Sequence, residues 1–210
     1  MSYKKTNTKS GYTIIETMVA VSIFVIVIVF GMNALLNANL VGRKSQDLRS
    51  IMDNLNFIME DISRNARTGY DYECYAPPVA FVPLNSPKSC VAGSVIFFET
   101  ADGDNTDRTD QWVYKIEETA SGSGKYNIFK SVEGGQDGTF VQLNPSEVAL
   151  TVSSGFSVLG AERPAINPLN DDRQQPLLTI RLVGEIEYKD TITPFSLQTS
   201  VSQRLIDVKF

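Results

Sequence analysis

The stretch KSGYTIIETMVAVSIFVIVIVFGMNALL, residues 9–36, decides how this chain is built. From Thr17 to Val41 there is no charged side chain, and Val19 to Phe30 is almost wholly aliphatic. At about 1.5 Å per residue, about 20–25 such residues cross a hydrocarbon layer of about 30 Å. Ahead of the run, residues 1–10 are polar, and their only charges are Lys4, Lys5 and Lys9. The positive-inside rule then predicts a single span with its N-terminus in the cytoplasm. A secretory signal peptide would have an apolar region of about 7–15 residues closed by a small-residue site, and this stretch has neither. One residue disturbs the pattern: Glu16, at the front edge of the apolar run.

Charges resume at Arg43, but the helical period continues. Leu48, Ile51, Met52, Leu55, Ile58, Met59, Ile62 and Ala66 recur at spacings of three and four. They form an apolar stripe, with Asp47, Arg49, Asp53, Asn56, Glu60 and Arg64 on the other face. No proline precedes Pro77, and Gly31 and Gly42 are the only glycines between Tyr12 and Gly69. One helix is therefore predicted from about residue 13 to about residue 67, on the order of 80 Å long. Residues 12–41 face lipid or other membrane helices, and residues 42–68 lay one face on a soluble domain. Gly69 is the predicted stop signal. Gly31, beside Asn33, is the softest point, or else the place where a neighbouring helix packs closely.

Residues 69–210 read as β structure. The runs at 94–100, 111–118, 125–132, 139–143, 147–160, 176–188 and 194–206 are rich in β-branched and aromatic residues, with Gly, Asp, Asn, Pro and Ser between them. ASGSG (120–124) and GGQDG (134–138) fit hairpin turns. Alternation at Trp112, Tyr114 and Ile116, and at Ile180 and Leu182, predicts half-buried antiparallel strands with one face on the helix. The expected fold is α+β, a long N-terminal helix packed on an antiparallel sheet.

Composition narrows the function classes. The 210 residues carry a formal net charge of −5 and no histidine. An acidic chain without a basic patch argues against a nucleic-acid partner. The missing histidine removes Ser-His-Asp and Cys-His catalysis and His-ligated metals. Glu117/Glu118 and Asp171/Asp172 are adjacent pairs that splay apart or sit in loops, and no phosphate or dinucleotide motif appears. No enzyme is expected.

The basic leader, Gly11, aromatic Tyr12, then Thr13-x-x-Glu16 and a long apolar helix together resemble the prepilin signature of type IV pilins and type II secretion pseudopilins. Most members have Phe where this chain has Tyr12. The resemblance implies a leader at 1–11, cleavage between Gly11 and Tyr12 by prepilin peptidase, and N-methylation of the new Tyr12 amine. It also implies assembly through the apolar helix with other subunits, on an inner-membrane platform, into a periplasmic or surface filament. Glu16 would then pair with the Tyr12 amine of a neighbour, relieving a carboxylate that costs about 2.5–3.5 kcal/mol at mid-membrane. Before assembly it reaches water from the helix end. Loss of 11 residues from 210 leaves 199, a size that favours a minor subunit. The strand and turn layout is similar to that of the larger minor pilins and J-type minor pseudopilins. The alternative is a single-span anchored β domain that serves as a binding module and does not polymerise.

Cys74 and Cys90 are the only cysteines. In an extracytoplasmic domain they are expected to form a disulfide across a loop holding Pro77, Pro78, Pro83 and Pro87. They lack C-x-x-C spacing for redox or metal use, and there is no histidine to activate a thiol. ADGDNTDRTD (101–110) has the acid density of a Ca²⁺ loop, with Asp102, Asp104 and Asp107 as candidate ligands. It departs from the EF-hand pattern, with Val113 at the closing Glu position. The expectation is a solvated turn with no cofactor.

Overall fold

The computed structural model describes residues 11–76, 87–104, 106–162, 174–188 and 191–204. Helix α1 runs over Ile14–Thr68, 55 residues, within one residue of the periodic span at each end. By its contacts the chain falls into two units, one ending at Asp47 and one beginning at Leu48.

In the second unit the stripe on α1 is the centre of the core. Leu55, Ile58, Met59, Ile62 and Ala66 are buried, and Leu48, Ile51 and Met52 are partly buried against the same cluster. Arg49, Asp53, Asn56, Glu60 and Arg64 are exposed, as the period requires, while Asp47 is half-buried.

Ten strands follow: β1 Tyr70–Tyr75, β2 Cys90–Gly93, β3 Val95–Glu99, β4 Trp112–Glu118, β5 Tyr126–Ser131, β6 Val141–Gln142, β7 Val148–Leu150, β8 Gly155–Leu159, β9 Leu177–Tyr188 and β10 Thr191–Ser202. They form one sheet in the order β1-β3-β4-β5-β7-β9-β8-β2, with β6 added on β5 and β10 on β9. Every strand pairing is antiparallel. The fold is α+β. Both glycine-rich segments connect paired strands, 120–124 joining β4 to β5 and 134–138 lying between β5 and β6. Gly122 and Gly124 take φ of 78° and 67°, the left-handed region where a side chain is strained.

Four details differ from the sequence reading. The run 147–160 is two strands, not one: β7 and β8 lie in succession along the same edge of β9, pairing with Gly184–Ile186 and Leu177–Arg181. Residues 151–154 bulge between them, and the Val183 carbonyl accepts from Thr151 N (2.8 Å) and Ser154 Oγ (2.8 Å). There the sheet forks, β7 leading to β5 and β8 to β2. Second, β4 is buried on both faces, because Val113 joins Tyr75, Phe97, Val95 and Phe140 in a small cluster apart from the main core. Third, the pattern missed β1, too acidic and tyrosine-rich, and β2, too short. Fourth, β10 starts at Thr191 and ends at Ser202, and residues 205–206 of the expected strand lie outside the described residues.

The two ends of the strand order meet. Lys88 donates its N–H to Tyr72 O (2.8 Å) and accepts from Cys74 N (3.0 Å), and Cys74 and Cys90 are bonded with Cα atoms 5.4 Å apart. The disulfide therefore joins β1 to β2, the two ends of the strand order, and forms a seam between them. Pro77, Pro78 and Pro83 of the bridged loop lie outside the described residues.

Three of the last carbonyls of α1 have partners. Asn65 O accepts from Gly69 N (3.0 Å), Ala66 O from the Tyr72 hydroxyl, and Arg67 O from Arg204 N (2.8 Å). Gly69 does stand at the stop, but not through a left-handed backbone, since its φ is not among the positive ones. It is there because a Cβ would lie 2.5 Å from the Phe98 ring and 2.8 Å from the Glu99 carbonyl oxygen. Gly69→Ala is expected to lower stability by about 1–3 kcal/mol, read as a lower denaturant midpoint at unchanged slope.

Candidate functional site

The first unit has one chemical character. From Gly11 to Arg43 every residue is exposed, including Ile23, Phe24, Val25, Ile26, Val27 and Val29 in unbroken apolar sequence. A helix that is apolar all round and uncovered in the single chain belongs in lipid or among other helices. It is long and apolar enough to cross a membrane. Gly31 and Gly42 have nothing within 4 Å of a hypothetical Cβ, so neither is filled by this chain's own packing. Ser22 donates to Met18 O (2.8 Å) and Thr17 to Ile14 O (2.8 Å), which keeps both hydroxyls satisfied without water.

Gly11 and Tyr12 precede the helix, and Tyr12 is 83 % exposed. Residues 1–10, with Lys4, Lys5 and Lys9, lie outside the described residues. Thr13 is the N-cap: its Oγ1 accepts from Glu16 N (3.3 Å) and its carbonyl from Thr17 N (3.2 Å). T-I-I-E thus has the order of a capping box, with Glu16 in the first turn. A carboxylate there is favoured by the positive end of the helix dipole. That is a local reason for Glu16, legible in the sequence as S/T-x-x-E before an apolar run, and the sequence reading missed it.

The acid-rich loop uses its carboxylates locally. Asp104 Oδ1 accepts from Thr106 N (2.9 Å) and Oγ1 (2.8 Å), and Asp107 Oδ1 from Thr109 N (2.9 Å) and Oγ1 (2.7 Å). These bonds hold both carboxyl groups below the usual carboxylate range. Asp107 caps the 3₁₀ turn Arg108–Asp110, and Asp102 is exposed. Among the described residues no group of three or more His, Cys, Asp or Glu is arranged to hold a metal.

A polar cluster invisible in the sequence pins α1 to the sheet. Lys130 Nζ of β5 donates to Asp61 Oδ2 (2.9 Å), and the Tyr114 hydroxyl donates to the same oxygen (3.0 Å). Asn65 Nδ2 donates to Asp61 Oδ1 (3.0 Å), and the Lys130 ammonium sits 4.1 Å from the centre of the Trp112 ring. Burial works to raise the Asp61 pKa, but the Lys130 bond and charge, with Tyr114 and Asn65, bring it below the ordinary value. Asp61 borders the apolar stripe, yet nothing near it in sequence announces a lysine 69 residues away.

No family model matches the chain, and neither do any of the curated proteins or solved structures compared with it.

Proposed function

We propose that the chain is a structural subunit of a helical fibre of the type IV pilus or type II pseudopilus kind, in which it is a minor component. Its leader is removed after Gly11 by a prepilin peptidase, and Tyr12 becomes the methylated N-terminus. It enters the fibre from the inner membrane, where its N-terminus was cytoplasmic. Residues 12–41 leave lipid and pack on the same segment of neighbouring subunits, keeping the β domain outside. The observation that carries this reading is the uncovered apolar helix beginning directly after Gly11-Tyr12, with Glu16 in its first turn. In the fibre Glu16 faces the Tyr12 amine of a neighbour, so its charge is neutralised on assembly.

A second reading draws on the Thr13 cap. Capping alone accounts for a carboxylate at position 16 in a helix that only anchors a β domain, with no polymer. Processing separates the two. Intact mass and N-terminal sequencing of the protein recovered from native membrane or fibre fractions should find a chain starting at methyl-Tyr12. A chain starting at Met1 or Ser2, in cells with active peptidase, would leave the anchored domain as the function.

A further inference from the structure

We propose that Glu99 and Asp110 form a proton-sharing carboxyl pair that latches the loop between β3 and β4, holding it at acidic pH and releasing it above neutrality. The latch does not rest on the fibre reading.

The geometry sets the problem. Glu99 ends β3 and is 1 % exposed. Its Oε1 accepts from Gln111 Nε2 (2.6 Å), while its Oε2 is buried with no donor. Asp110 closes the 3₁₀ turn at the other end of the loop; its Oδ2 accepts from Asp104 N (2.8 Å), while its Oδ1 is likewise buried with no donor. The two side chains interact, and that interaction works against ionisation of Glu99. Two acceptor oxygens with no donor between them are costly while both are ionised, and one shared proton satisfies both. Burial is the main cause that pushes the Glu99 carboxyl up to about 7, and the Asp110 and Asp71 charges add to it against the Gln111 bond.

The charges around the pair are mostly negative. Asp71 and Tyr70 approach from β1, and Asp104 from the loop. Arg108 is the single basic residue on β1, on residues 100–111 or on the adjoining turn 132–138, which itself adds Glu133 and Asp137. The rest of the loop depends on the pair. Asp104 N bonds Asp110, the Tyr70 hydroxyl bonds Gly103 O (2.7 Å), and Gly134 N bonds Gln111 O (3.0 Å). Loss of the shared proton puts two negative charges face to face and pushes the two ends of the loop apart.

The full chain in detergent micelles is the material for the test. Amide exchange of Asp104 and its neighbours, corrected for intrinsic rate, should quicken about tenfold between about pH 5 and about pH 9. In Glu99→Gln, which keeps the shape of the protonated acid, exchange should stay flat and slow over the same range. A flat wild-type profile, or an unchanged step in Glu99→Gln, overturns the latch. Restoration of slow exchange at the alkaline end by added Ca²⁺, reversed by chelator, also overturns it and makes the pair a cation site. Should Glu99→Gln not fold, the wild-type Glu99 carboxyl carbon decides by NMR titration. A midpoint near 7 supports the latch, and one below about 5 overturns it.

Discussion

Replacing Cys74 and Cys90 together by Ser is expected to lower the unfolding free energy by about 3 kcal/mol. The bridge spans 16 residues, and closing a loop of that size in the unfolded chain accounts for an effect of this order. Its place adds a second consequence. β1 and β2 are the two ends of the strand order, and besides the bridge two backbone bonds at Lys88 hold the seam. Reduction should therefore loosen β2 before the rest of the sheet, with amide exchange rising first around Gly93, where it pairs with Phe156 of β8. The single tryptophan, Trp112, provides the optical readout for denaturant unfolding with and without reductant. An unchanged midpoint under full reduction would show that the seam holds without its covalent link.

Asp61→Ala is expected to cost about 2–3 kcal/mol, because it leaves the Lys130 ammonium half-enclosed against Trp112 without a carboxylate. The figure sits at the low end for such pairs because both side chains keep 18 % of their surface in water. The paired change Asp61→Leu with Lys130→Met should recover most of the loss, since it removes both charges and fills the space with apolar atoms. A double change as damaging as the sum of the single ones would mean that the two residues act separately. The pH dependence follows from the lowered Asp61 pKa. The folded state holds the ionised form, so this stabilisation is present above the unfolded value of about 3.9 and is lost as pH falls through the lower folded value. The acid limb of unfolding should therefore be shallower in Asp61→Asn than in the wild type.

The helix was legible because its two patterns, an uncharged run and then a stripe at three-four spacing, are local. So was the alternation of β9, whose inward residues Leu178, Ile180, Leu182 and Ile186 are all buried. What escaped depends on distant partners. Nothing local marks 151–154 as a bulge until Val183 lies beside it. Val113 reads as outward-facing until Phe97, Tyr75 and Phe140 cover that face. Of the site, Gly11, Tyr12 and Glu16 stood out as a motif, while the Glu99–Asp110 and Asp61–Lys130 pairs join residues brought together only by the fold. Gly69 was placed correctly for a reason that differs from the actual one, since close approach to Phe98 and a left-handed turn both call for glycine.

The manner in which the end of α1 is satisfied sets an order in time. The stripe from Leu48 to Ala66 is synthesised early, yet Ile180, Leu182, Phe195 and Val201, which share its core, come more than a hundred residues later. Arg67 O waits longer still, for Arg204. Pairings so distant along the chain form slowly, after the cost of closing long loops has been met. Until the last strand has emerged, the nascent chain carries an unfilled apolar surface, so the period between synthesis and completion of the sheet is when it is most exposed to proteolysis and unwanted association.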